Sequence, residues 1–183
     1  MPKVSSSRLP VSRIKDRDLR ISTTPHSKLN GSTPRRGHAP RNGLVVRRSS
    51  VHGRGVFTTV PIRKGARIIE YTGQRVPWSS VADEAEDGHT FLFGINDGAD
   101  VIDPAVGGND ARWINHSCEP NCEAIEDDRG RVFIHALRYI CPGEELFYDY
   151  QLEVDVPITN ETKAESACVC GSPNCRRTML ESA

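Results

Sequence analysis

Three cysteines fall within eight residues near the C-terminus, Cys168-Val-Cys170-Gly-Ser-Pro-Asn-Cys175, and no other feature constrains the 183-residue chain as sharply. Glycine and proline occupy the longer gap, so one tight loop can aim all three sulfurs at a single point. Thiolates grouped in this way are zinc ligands, and a structural zinc takes four donors at the corners of a tetrahedron. The fourth ligand must come from elsewhere in the chain, and Cys118 and Cys122 are the candidates. Four thiolates leave no open position for water, so such a metal would be structural rather than catalytic. Free thiols in a loose tail are the plainer alternative, but three of only six cysteines in one short run favour a metal.

The rest of the sequence is compatible with a reducing environment, where cysteines hold metal more often than they form disulfides. No apolar run approaches the roughly 18 residues needed to cross a bilayer. The opening Met1-Pro2-Lys3-Val4 leads into serine and arginine rather than an apolar signal segment, so neither a signal peptide nor a transmembrane segment is expected.

Formal charge sums to zero but is unevenly spread. Residues 1–43 carry 10 Lys+Arg against 2 Asp, a net of +8, and the remaining 14 Lys+Arg face 22 Asp+Glu, a net of −8. The basic stretch contains no aromatic residue and no sustained apolar period, so it is expected to be a disordered arm, suited to nucleic acid or simply solvated. The acidic body suits a cationic partner.

From Leu44 onward, short apolar stretches alternate with Gly, Pro and Asp, the pattern of strands and turns. Leu44–Val46, Arg67–Tyr71, Thr90–Ile95 and Asp100–Asp103 are expected strands, and Cys122–Glu126 and Arg131–Ala136 form a hairpin about Asp127-Asp128-Arg129-Gly130. Ser79–Glu86 is the one expected helix, with serines at its start and acids in its first turns. The class is mainly β with few short helices.

The segment Arg112-Trp113-Ile114-Asn115-His116-Ser117-Cys118-Glu119-Pro120-Asn121-Cys122 sets many polar residues between two apolar strands. It closely resembles the Asn-His-Ser-Cys-x-Pro-Asn signature of SET domains. Three other segments agree in the same order: Gly53-Arg54-Gly55 resembles the family's opening turn, Tyr71-Thr72-Gly73 its Tyr-x-Gly, and Gly143-Glu144-Glu145-Leu146-Phe147-Tyr148-Asp149-Tyr150 its ending. The cysteine cluster stands where the family's post-SET motif belongs. The resemblance implies a β-clip fold with a knot-like core, divided into a basic arm (1–43), a SET domain (44–152) and a post-SET linker and zinc tail (153–183).

It also implies an activity, protein-lysine N-methyltransferase, with S-adenosyl-L-methionine as methyl donor. By position, Tyr150 is the tyrosine near the transferring methyl, Tyr71 a second active-site tyrosine, and Tyr148 the switch that limits how many methyl groups fit. With tyrosine in that place, mono- or dimethylation is expected. Gly53, Arg54 and Gly55 present backbone to the donor, Asn115 and His116 contact it, and Cys118, Cys168, Cys170 and Cys175 hold Zn2+. Cys122 and Cys141 are then ordinary thiols.

The sequence departs from the family at several points. Trp113 stands where Phe is usual, Phe147 replaces Thr, the stretch between Gln74 and Asp103 is short for a substrate-gripping insert, and no cysteine-rich segment precedes Leu44. Compact SET proteins of this kind resemble the stand-alone bacterial ones, though eukaryotic examples exist. The expected substrate is a basic tail of a histone or nucleoid protein, in the cytoplasm and nucleoid of a bacterium or on chromatin in a eukaryotic or host nucleus. The alternatives are a non-catalytic SET-fold module that docks cationic tails, with nucleic acid on the arm, and a zinc-stabilised nucleic-acid-binding protein.

Overall fold

The computed structural model describes residues 9–10, 43–81, 91–153 and 157–181. Its strands are short. In chain order they are β1 (Leu9–Pro10), β2 (Leu44–Arg48), β3 (Arg54–Thr58), β4 (Arg67–Tyr71), β5 (Gln74–Pro77) and β6 (Phe93–Ile95). The rest are β7 (Asp100–Asp103), β8 (Asn115–His116), β9 (Cys122–Glu126), β10 (Val132–Ala136), β11 (Phe147–Tyr148) and β12 (Leu152–Glu153). Among the described residues there is one α-helix, α1 (Asn160–Glu165).

Local chemistry accounts for the hairpins. In the β9–β10 turn the Asp127 carboxylate accepts from the backbone N–H of Arg129 and Arg131 at 2.9 Å each, while Gly130 takes a φ of +67°. The β6–β7 turn puts Asn96, Asp97 and Gly98 all at positive φ, the conformation that Asn, Asp and Gly tolerate best. The Asp127–Gly130 turn matches the position expected from sequence, and the Asn96–Gly98 turn falls between two of the expected strands. Of the expected Ser79–Glu86 helix, Ser79 and Ser80 belong to a single 3-10 turn over Trp78–Ser80, and residues 82–90 lie outside those described. The α1 helix carries no apolar stripe in sequence, and only Thr162 of its six residues is buried. A capping box starts it, with the Thr159 hydroxyl accepting from Thr162 N–H at 3.2 Å and the Thr162 hydroxyl accepting from Thr159 N–H at 3.3 Å.

Two antiparallel three-stranded sheets, β4–β10–β9 and β5–β7–β6, stand beside the β2–β3 hairpin. Val56, Val132, Ile134, Ile140, Ile114 and Leu146, all essentially inaccessible to solvent, fill the core between them. Two further pairings are parallel and bring distant parts of the chain together: β8 with β11, and β1 with β12.

The β8–β11 pairing positions everything that follows. Residues 144–148 are inserted between two other segments. On one side Thr58 N–H donates to Glu144 O at 3.0 Å and Leu146 N–H to Val56 O at 2.8 Å. On the other, the buried Asn121 side chain donates to Glu145 O and accepts from Phe147 N–H, both at 2.8 Å. Ser117 N–H adds a bond to Tyr148 O at 3.2 Å.

Backbones also meet closely at Gly73, where a Cβ would stand 2.3 Å from Asp103 O. Because the obstacle is backbone, it cannot rotate away. Gly73→Ala should therefore lower stability by about 1–3 kcal/mol, read as a fall in the urea midpoint. Gly65→Ala would meet no neighbour within 4 Å, although its φ of +76° brings a conformational cost of its own.

Candidate functional site

Three tyrosines from separate parts of the chain converge beside β8. Tyr71 ends β4, Tyr148 ends β11, and Tyr150 follows two residues later. The Tyr148 and Tyr150 rings lie 4.9 Å apart, and Phe93 bridges Tyr71 (5.1 Å) to Tyr148 (6.2 Å). The Tyr71 hydroxyl donates to Phe91 O in a short bond, and that of Tyr150 donates to Ile114 O at 2.8 Å. No hydrogen-bond partner of the Tyr148 hydroxyl is found among the described residues. Burial, reinforced by the neighbouring phenols, pushes Tyr71 and Tyr148 well above the ordinary tyrosine range, and burial likewise raises Tyr150. All three are therefore neutral hydroxyls at physiological pH.

The Gly53-Arg54-Gly55 turn lies against Asn115. The Asn115 side-chain amide donates to Arg54 O at 2.8 Å, to His52 O at 3.2 Å and to the Glu145 carboxylate at 3.0 Å. Gly53 has a φ of +43°, and a Cβ there would meet nothing within 4 Å beyond its chain neighbours. Gly55 answers to a different constraint: its Cβ would fall 2.0 Å from Glu145 Oε1, so the glycine admits that buried carboxylate beneath the turn. Ser49 Oγ holds the other carboxylate oxygen at 3.0 Å. Trp113 packs edge-on against Phe91 at 5.0 Å, with the Arg54 and Arg112 guanidiniums over its ring at 5.0 and 4.6 Å. The larger ring thus ties the turn to the aromatic wall beside Tyr71.

His116 is buried, and both of its ring nitrogens are used inside the protein. Nδ1 accepts from Tyr150 N–H at 3.1 Å, which leaves the proton of the neutral ring on Nε2, 3.4 Å from Cys118 Sγ. Burial lowers its pKa to about 4, outweighing the nearby Asp149 carboxylate.

Cys118, Cys168, Cys170 and Cys175 bring their sulfurs within 4.8 Å of one another. Cys118 lies 3.7 Å from Cys168 and 4.0 Å from Cys175. Zinc–thiolate bonds of ~2.3 Å make a tetrahedron with edges of about 3.8 Å, so the spacing fits that ion. Burial pushes the Cys118 and Cys168 thiols up. Burial works upward on Cys170 too, but hydrogen bonds led by the Ser172 hydroxyl hold it down to about 5. Cys122 stays apart, fully buried, with its thiol pushed up to about 12 mainly by burial. Cys141 is exposed.

A fork joins this centre to the tyrosines. Arg176, next to Cys175, grips the Asp149 carboxylate with two bonds of 2.7 Å, and its backbone N–H donates to Cys118 Sγ at 3.4 Å. Bidentate pairs of this kind fix geometry more firmly than surface ion pairs do. Neither Glu145 nor Arg176 stands out in the sequence. Glu145 is hidden inside a motif that is recognised as a whole, and Arg176 is one of many arginines with no spacing to distinguish it.

A mainly β domain with a tyrosine cluster, a glycine turn against Asn115 and four thiols drawn together from two distant segments defines a particular class of protein. The chain belongs to the SET domain family, whose family model matches residues 53–151. The cysteine quartet fits a post-SET zinc motif. Among its relatives are the histone-lysine N-methyltransferase trr of Drosophila melanogaster, 37% identical over 147 residues (76% of this chain, 6% of that protein), and histone-lysine N-methyltransferase 2B of Homo sapiens, 39% identical over 147 residues (75% and 5%). An H3 lysine-4 specific histone-lysine N-methyltransferase of Candida albicans is 38% identical over 158 residues, covering 81% of this chain and 14% of that protein. The chain thus spans only a small part of the length of these relatives.

Gly55→Ala should destabilise the domain by forcing Glu145 from beneath the turn. Adding Glu145→Ala should recover part of that loss, a coupling of about 1 kcal/mol in a double-mutant denaturation cycle. Purely additive losses would mean that the two residues do not compete for the same space.

Proposed function

We propose that the chain is an S-adenosylmethionine-dependent protein-lysine N-methyltransferase that acts on the basic tail of a histone. The observation that carries this reading is the cluster of Tyr71, Tyr148 and Tyr150, three neutral hydroxyls set beside the glycine turn. A lysine ammonium titrates near ~10.4 and must lose its proton before it can act as a nucleophile. A narrow aromatic channel disfavours the charged form and aligns the amine. Since the Tyr71 and Tyr150 protons are committed to carbonyls, their oxygens remain as acceptors for an amine N–H. None of the phenols ionises in the working range, so the proton leaves to water and the tyrosines orient.

S-adenosylmethionine, when bound, supplies a methyl group on a sulfonium. Gly53, Arg54 and Gly55 would hold it, with Asn115 and His116; the space beside Gly53 is the feature that fits. Zn2+ would sit on Cys118, Cys168, Cys170 and Cys175 as a staple for the C-terminal tail. The −8 charge of residues 44–183 favours a cationic tail, and the names of the relatives favour a histone at a chromatin location over a bacterial nucleoid protein. The +8 arm offers nucleic acid a contact surface. No helix among the described residues is long and apolar enough to cross a membrane.

Incubation with labelled S-adenosylmethionine and core histones, followed by mass spectrometry, tests the reading. Label is expected on a histone lysine, mainly as mono- and dimethyl, and should fall about 100-fold in Tyr150→Phe, as for loss of a group that orients the reacting amine. Tyr148→Phe should shift the products toward higher methylation. Absence of label from every histone, in protein that binds the donor, would refute the proposal.

The zinc assignment has its own test. Elemental analysis should find about one zinc per chain, lost in Cys170→Ser. A strong chelator should abolish protection of amides in 166–180 while the β4–β10–β9 sheet keeps its own.

A further inference from the structure

β12 has two edges, and each is occupied. On one, Leu152 N–H donates to Met179 O and Leu152 O accepts from Glu181 N–H, both at 2.9 Å. Backbone groups alternate in direction along a strand, so Gln151 and Glu153 present theirs to the opposite side. There β1 runs parallel, Leu9 facing Leu152 and Pro10 facing Glu153. The same two residues lie alongside β6, the outer strand of the β5–β7–β6 sheet, without joining its ladder. Phe93 of β6 packs between Tyr71 and Tyr148, and Tyr150 lies two residues before β12. The slot between β6 and β12 is therefore a strand-accepting groove along the tyrosine cluster, and a stretch of the chain's own basic arm is seated in it.

We propose that the arm is an intramolecular occupant of this groove and competes there with an incoming basic peptide. The identification of that peptide as the substrate rests on the function proposed above. Two features besides the pairing favour the arm. Its net charge of +8 complements the −8 of the body. Pro10 suits a terminal strand, because it has no N–H to offer a further neighbour. Strand addition draws on main-chain bonds, so a short segment of permissive sequence suffices, and the covalent tether keeps it close. A groove filled nine-tenths of the time would weaken peptide binding about tenfold.

The test uses the full chain, its Leu9→Pro variant, which removes the one backbone donor the described arm strand has, and a chain lacking residues 1–42. The buried cluster from Leu44 to Tyr148 lies wholly outside the deleted part. Hydrogen exchange gives the first readout. The Glu153 amide should exchange about tenfold faster in both variants, while Leu152, bonded to Met179, serves as an unchanged reference. Fluorescence anisotropy with a labelled histone H3 tail peptide gives the second, with about tenfold tighter binding expected in both variants. Unchanged exchange at Glu153 would overturn the proposal, and so would faster exchange with unaltered peptide affinity. Neither readout requires turnover, so both can succeed even if no histone is methylated. In that case the catalytic reading fails and the arm's placement stands.

Discussion

The fold depends on the insertion of residues 144–148 between β3 and the loop that follows β8. Asn121 makes it possible: a single buried amide donates to Glu145 O and accepts from Phe147 N–H. Leaving buried polar groups unpaired costs about 1–3 kcal/mol each, so the segment is held in one register. That register sets Tyr148 against Phe93, places Tyr150 N–H on His116, and turns Asp149 toward the C-terminal tail. A slip of one residue would reverse the direction of every side chain in the segment.

The tail has little core of its own. Among residues 157–181 only Thr162, Ser166, Cys168 and Leu180 are buried. Burial of so few apolar groups contributes little toward ordering two dozen residues, and the Arg176–Asp149 fork adds a fixed contact to the body of the domain. Through His116, whose ring lies between Tyr150 N–H and Cys118 Sγ, the cysteine centre and the tyrosine cluster share one set of contacts. The cysteine cluster and the tyrosine cluster are therefore not structurally independent.

Much of this architecture is legible in the amino-acid sequence. The hairpin about Asp127–Gly130 can be read because Asp and Gly form that turn by local chemistry, and the quartet's three C-terminal members because eight residues bring them together. Other parts cannot be read. The α1 helix has no apolar stripe, and its capping threonines resemble any loop residues. In sequence Gly55 reads as a point of close approach to a ligand; in the fold its nearest neighbour is the Glu145 carboxylate, 90 residues away along the chain. His116 reads as a contact of the methyl donor; in the fold its two ring nitrogens meet Tyr150 N–H and Cys118 Sγ. Residues 1–43 have no sustained apolar period, yet Leu9–Pro10 pairs with Leu152–Glu153 through backbone groups.

The sequence by itself determined the mainly β class, the family, the order of the motifs and the residue types of the site, because these depend on local periodicity, turn chemistry and the ligand preferences of thiols. Only the tertiary structure decided which groups face one another: Arg176 on Asp149, Glu145 under Gly55, and Leu9–Pro10 beside β12. Those contacts join positions far apart in the chain. Their energies come from burial and from hydrogen-bond geometry that exist only once the segments have been brought together.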